Sequence, residues 1–217
     1  MVMIGSGGCG STAAVAPLPA PGAADEAGVE AAEQRIYRLR YTGPEGAGTL
    51  RVVLRLESFD RFTLQASDTF GRRVWDLDVD RRRALWIDHR QRSLCQLEAD
   101  AIVLQELAIG PLSARSIARL LLSRLPVELP STGDGPFAMV DDLGRRWTGK
   151  RDGEGLVQWT LWLAGEPEVW WSREERGGVL SSRDGAQARW RLRLAEPLAT
   201  EFVAVTPSDY SWVTCDG

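Results

Sequence analysis

The stretch "RFTLQASDTFGRRVWDLDV", residues 61–79, alternates apolar and polar residues, breaks at Asp68-Thr69-Phe70-Gly71, and alternates again. Phe62, Leu64 and Ala66 share one side, and Trp75, Leu77 and Val79 repeat that spacing after the break. A period of two marks a strand with one buried and one wet face, so the segment predicts an antiparallel hairpin. Turns ordinarily carry polar residues, yet this one carries Phe70 at its tip. The residues leave two readings: Phe70 tucks beneath its own turn into the core, or it points outward to meet something apolar.

The same period extends in both directions. Upstream, Leu50, Val52, Leu54 and Leu56 oppose Arg51, Arg55 and Glu57. Downstream, turn signals recur at Asp134-Gly135, Leu143-Gly144, Asp152-Gly153, Gly177-Gly178 and Asp184-Gly185. Between them lie short strand-like pieces such as "LVQWTLWL", "EVWWSRE" and "AQARWRLRLAE". About ten or eleven strands at this spacing predict a mainly β protein, an unclosed antiparallel β-barrel. Two stretches break the pattern. "LEADAIVLQELAIGP" has helical spacing and a Gly-Pro stop, and Ser113 is placed to cap "SARSIARLLLSRLP", whose Ile117, Leu120, Leu121 and Leu125 form one stripe. Two to three short helices are expected to plug or cover the concave face. Residues 31–217 are expected to form one domain with no evident internal repeat, and residues 1–30 a tether with a short helical lead-in, "ADEAGVEAAEQ".

Composition narrows the function. A net charge of −4 and a pI near 5.2 argue against nucleic acid as the main partner. No run reaches the eighteen or so apolar residues that a spanning helix needs. Near the N-terminus, small residues precede Cys9 and an Ala/Pro/Gly-rich tether follows it, a pattern like the cleavage site of a bacterial lipoprotein. Cys9 is therefore the expected lipidation site, although the apolar piece before it is short for a complete signal peptide. Cys95 and Cys215 are read as either one disulfide suited to an oxidising compartment or two free thiols.

Catalytic chemistry finds little support. His89 is the single histidine and reads as a solvated loop residue, and no nucleophile elbow surrounds any serine. Asp76, Asp78 and Asp80 alternate along one face, but interleaved arginines make a salt-bridged wet surface the better reading. The chain is expected to be no enzyme, with no cofactor and no metal. What remains is tryptophan. Trp75, Trp86, Trp147, Trp159, Trp162 and Trp190, with Leu54, Leu64, Ile117 and Leu121, either fill an ordinary core or line an apolar cavity for an acyl chain.

Residues 61–126 resemble the LolB family of outer-membrane lipoprotein receptors. The likeness lies in a strand beginning "RFTL", a tip ending in hydrophobic-Gly ("DTFG"), three more strands, and "LQELAIGPLSARSIARLLLSRLP". Two features depart from that family: Thr69 stands where a proline is usual, and the second helix lacks a tryptophan. The resemblance implies an unclosed barrel, plugged by helices, that holds the acyl chains of lipoproteins or other lipid. It implies a lipid anchor and a place on the periplasmic face of the bacterial outer membrane. Its expected partners are that membrane's inner leaflet and a LolA-like carrier. It further implies that Phe70 is exposed and contacts the membrane during insertion of cargo. A LolB-like structural lipoprotein within a cell-envelope complex is the alternative.

Overall fold

The computed structural model describes residues 32–44, 46–99, 113–127, 133–141, 143–198 and 207–214. Their strands form one sheet. β1 (Glu33–Gly43), β2 (Gly46–Ser58), β3 (Arg61–Ser67), β4 (Arg73–Asp80), β5 (Arg83–Asp88) and β6 (Ser93–Glu98) make a first meander. After α1 (Ala114–Leu121) come β7 (Gly135–Val140), β8 (Arg146–Asp152), β9 (Gly155–Leu163), β10 (Glu166–Glu174), β11 (Gly177–Ser182) and β12 (Gln187–Pro197). A two-residue β13 (Ser211–Trp212) closes the series. The order across the sheet is β13-β6-β5-β4-β3-β2-β1-β12-β11-β10-β9-β8-β7.

Thirteen strands exceed the expected ten or eleven, and the excess has identifiable sources. β1 was hidden by its arginines and by the glutamate- and alanine-rich segment before it. Glu33 and Gln34, the end of the expected helical lead-in, already pair with β2 and β12. β13 is too short to show a period, and it runs parallel beside β6 with Ser211 opposite Ser93.

All other neighbouring pairs are antiparallel, including the β1–β12 pair that joins the two meanders. The turns after β1, β3, β5, β7, β9 and β11 therefore emerge at one end of the sheet. The turns after β2, β4, β8 and β10 emerge at the other. Register carries Tyr37, Val52, Leu64, Leu77, Trp86 and Cys95 across the first meander on one face. It also carries Leu39, Trp190, Gly178 and Leu180 onto that face, followed by Trp171, Trp159 and Trp147.

Helix α1 sits against this face. Ser113 caps it, the hydroxyl accepting the Ser116 amide at 3.2 Å. The apolar stripe continues to Leu125, but the helix stops at Leu121. Ser123 takes a left-handed φ of +58°, its amide reaches the Leu120 carbonyl, and the Arg124 amide reaches the Arg119 carbonyl. That pair of bonds is a Schellman stop, and it satisfies carbonyls that the helix end would otherwise leave unpaired. The other expected helix lies outside the described residues, except for its first three: Leu97 and Glu98 belong to β6, and Ala99 is buried in the turn that follows, its amide donating to the Arg82 carbonyl at 2.9 Å.

Helix α1 is only about 12 Å long, yet it spans both halves of the sheet. Its Arg115 bonds Asp60 and the Arg81 carbonyl, at the turns after β2 and β4, while the helix also lies against β11. In a flat sheet β4 and β11 would stand about 24 Å apart, so these contacts need a sheet that curls around the helix. The apolar residues of strands β1 to β5, β8 to β12 and α1 accordingly form one cluster. This is an open, strongly curved antiparallel sheet with an inner helix.

Tyr37 ties helix to wall. Its hydroxyl donates to the Leu121 carbonyl at 2.9 Å inside the core. Burial pushes the phenol up to about 12, against the opposing pull of Arg35. A raised folded-state value means that the neutral form stabilises the fold fully below the ordinary tyrosine range near pH 10. That contribution is lost as pH rises from about 10 towards about 12. Tyr37→Phe should lose about 1–2 kcal/mol at neutral pH, because the buried Leu121 carbonyl is left without its donor. Denaturant titration at pH 7 and pH 11 should show the variant losing less stability over that interval than the native chain.

Candidate functional site

Two features stand out: the apolar concave wall and the exposed tip. On the wall, Leu54 and Leu64 are wholly buried, and Trp147, Trp159 and Trp190 nearly so. Trp75 stacks on Trp86 with centroids 5.0 Å apart and planes 23° from parallel. Trp147 meets Trp159 at 5.3 Å. Leu121 is buried and Ile117 half-buried, both facing the cluster from α1. Nine of the ten residues read as cavity-lining thus belong to one apolar assembly.

Trp162 does not. It lies on the opposite face, where its indole donates to Thr148 Oγ1 at 2.8 Å and Arg146 stands over its ring. In its place the wall contains Trp171, fully buried on β10 beside Trp159. The signal was present in "EVWWSRE", where two adjacent tryptophans on a strand must point to opposite faces.

The indoles of Trp159, Trp171 and Trp190 share an unusual property. Each Nε1 is buried without a hydrogen-bond acceptor. They are neighbours: Trp171 pairs across the ladder with Trp159, and Gly178 pairs with Trp190 while lying under the Trp171 ring. The wall is made close-fitting by glycine, since a Cβ at Gly178 would clash with Trp171 Nε1 and meet Trp190 at 3.0 Å.

At the tip, Phe70 is 83% exposed, so the tucked reading fails. Asp68 builds the turn. Its Oδ1 accepts the amides of Phe70 and Arg72 at 2.9 and 3.0 Å, and its Oδ2 pairs with Arg72 Nε at 2.7 Å. Desolvation pushes the Asp68 carboxyl up, but the bonds from Arg72 and Phe70 outweigh it and hold the carboxyl below its ordinary range. Gly71 supplies the left-handed φ of +81° that completes the reversal. With the backbone fixed this way, the Phe70 ring stands in solvent beside the Arg72 guanidinium, which lies 5.5 Å from its centroid.

Of the polar candidates, His89 resolves differently from its sequence reading. His89 is not solvated: its side chain is 12% exposed, with Nε2 3.0 Å from Asp76 and Nδ1 2.9 Å from the Tyr210 hydroxyl. This pins the segment carrying β13 to the sheet. Asp76 also pairs with Arg73. Among the described residues, no cluster of His, Cys, Asp and Glu has the make-up of a metal site. Cys95 is disulfide-bonded, which removes the free-thiol reading for that residue. Cys215 and the expected lipidation site, Cys9, lie outside the described residues.

No protein-family model matches the chain, and no curated protein matches it. Solved structures give distant likenesses. A LolA superfamily protein from Nitrosomonas europaea is 8% identical with a TM-score of 0.46, covering 80% of this chain and 89% of that one. A putative outer membrane lipoprotein-sorting protein domain from Vibrio parahaemolyticus is 7% identical with a TM-score of 0.47, covering 79% and 87%. An uncharacterized conserved protein from Thermus thermophilus is 8% identical with a TM-score of 0.38, covering 86% and 91%. With TM-scores below 0.5, nothing about ligand or partner transfers from these chains to this one.

The close fit at Gly178 can be checked directly. Gly178→Ala should destabilise the fold by about 1–3 kcal/mol through overpacking against Trp171 and Trp190. It should also shift the tryptophan fluorescence. A variant as stable as the native chain would mean that the two rings have room to move apart.

Proposed function

We propose that this chain is a lipid-anchored protein on the periplasmic face of the bacterial outer membrane. In this reading it receives lipoprotein acyl chains against its apolar concave face and assists their insertion into the membrane. The observation that carries the reading is Phe70, a large apolar side chain left in water on a turn whose backbone is fixed by five hydrogen bonds from or to Asp68 and its neighbours. It occupies the position at which the LolB resemblance implies a membrane-contacting hydrophobe.

Elementary energetics fit such a role. Each buried methylene is worth about 0.8 kcal/mol, so an acyl chain does not cross water unshielded. A bilayer and an apolar protein interior are nearly equivalent hosts. Hand-over between them needs neither a catalytic group nor a cofactor, and the chain is proposed to be no enzyme. The proposed anchor is Cys9, and the proposed donor of cargo is a LolA-like carrier.

A second reading has its own observation. Leu54, Leu56 and Leu64 are fully buried, and Trp147, Trp159 and Trp171 are 1% exposed, as in a filled core. That favours a structural lipoprotein of an envelope complex. Extraction of lipid from the purified native protein separates the two, since a stoichiometric acyl chain supports the carrier and its absence supports the structural subunit.

Two variants test the membrane contact and the anchor. Phe70→Glu should keep its thermal melting point, because no core packing is lost. Burial of a Phe side chain is worth roughly 1.5–3 kcal/mol, so vesicle binding should weaken about tenfold or more. Unfolding of Phe70→Glu, or unchanged vesicle binding, would exclude Phe70 as the contact. Cys9→Ala in the full precursor should release the protein from the membrane fraction, and persistent attachment would exclude the anchor.

A further inference from the structure

The turn that presents Phe70 occurs twice in this fold, and we propose that its second copy, carrying Leu143, is a second insertion point into the bilayer interface. The proposal rests on the reading of Phe70 above. In sequence the two segments are Asp68-Thr69-Phe70-Gly71-Arg72-Arg73 and Asp141-Asp142-Leu143-Gly144-Arg145-Arg146, a match too short to register as a repeat.

Geometry makes the match. Asp68 Oδ1 accepts the amides two and four residues on at 2.9 and 3.0 Å, and Asp141 Oδ1 does the same at 3.0 and 2.9 Å. Each Oδ2 pairs with the Nε of the arginine four residues on, at 2.7 Å in both turns. The aspartate amide meets that arginine's carbonyl at 2.9 Å in one turn and 3.0 Å in the other. The glycine amide returns to the aspartate carbonyl at 3.0 and 2.9 Å. Gly71 and Gly144 have φ of +81° and +74°. Each turn then lifts one apolar side chain into solvent: Phe70 is 83% exposed and Leu143 75%.

Strand directions place both tips at one end. The two turns follow β3 and β7, and the β1–β12 pairing aligns the two meanders so that these turns emerge together. Other exposed apolar residues gather there. Val140 ends β7, and Trp212 and Val213 lie beside the start of β6. The polar anchors of α1, at Asp60 and Arg81, sit at the opposite end.

The occupant is the interface of a phospholipid bilayer. Six strands, β2, β1, β12, β11, β10 and β9, separate the two hairpins in the strand order, so the tips are distinct projections from one end of the sheet. A pocket on a protein would engage one tip, whereas a planar surface meets both. Each turn's aspartate pairs with its own arginine, so attraction to anionic headgroups is not what holds the tips down. Insertion should be apolar in character and nearly independent of salt.

The experiment uses the full chain carrying Cys9→Ala, so that an acyl anchor does not mask the tips, and vesicles of phosphatidylethanolamine and phosphatidylcholine. Leu143→Glu and Phe70→Glu should each lower vesicle partition about tenfold. Together they should lower it about a hundredfold, because separate sites act additively. Thermal melting and uptake of a fluorescent fatty acid should not change. Leu143→Trp should tighten partition, which keeps the test decisive even where Leu143→Glu alters the melt. Native partition by both Leu143 variants, with loss in Phe70→Glu, overturns the second insertion point and leaves the proposed function standing. Native partition by all the variants overturns both. A partition that rises only with anionic lipid and falls with salt overturns the apolar insertion argued here.

Discussion

The pairing of β1 with β12 holds this molecule together. Without it the chain is two separate meanders, each with an apolar face and nothing to close against. The pair runs from Glu33 opposite Pro197 to Thr42 opposite Gln187, so its partners are more than a hundred residues apart in sequence. That ladder aligns the two halves, lets one wall of tryptophan and leucine curl around α1, and decides which turns share an end. It also sets a slow step for folding, since contacts of such sequence separation form late. Arg38 and Arg40 point outward along it while Tyr37 and Leu39 point in, and the alternation prevents slippage by one residue.

Much of this was legible in the residues. The hairpin at 61–79, the alternation of β2 and β4, and the Ser113 cap all follow from period and cap chemistry, and all appear as expected. The wall was partly legible. Trp159 and Trp162 are three apart, so one strand cannot present both to one face, and the wall takes Trp171 in the second's place. Other features were beyond the sequence. Which strands meet at the seam is a long-range fact that local alternation does not encode. The length of α1 depended on a left-handed Ser123, a conformation for which serine gives little signal.

The tip shows why local chemistry decided a question that hydropathy left open. Phenylalanine prefers burial, and a turn offers a short route back into the core. Asp68 closes that route by holding the amides of Phe70 and Arg72, which fixes the backbone before the ring has a choice. His89 went the other way for an equally local reason. A histidine in a turn reads as solvated until Asp76 on one side and Tyr210 on the other enclose it.

The unpaired indoles of Trp159, Trp171 and Trp190 have a consequence for how this wall is filled. A buried donor without an acceptor costs about 1–3 kcal/mol, and phenylalanine would fill much of the same space without that penalty. An indole cut back to a phenyl ring would leave a gap in so close-fitting a wall, and that cavity carries its own cost. The three N–H groups are what this wall gives up in exchange for filling its volume.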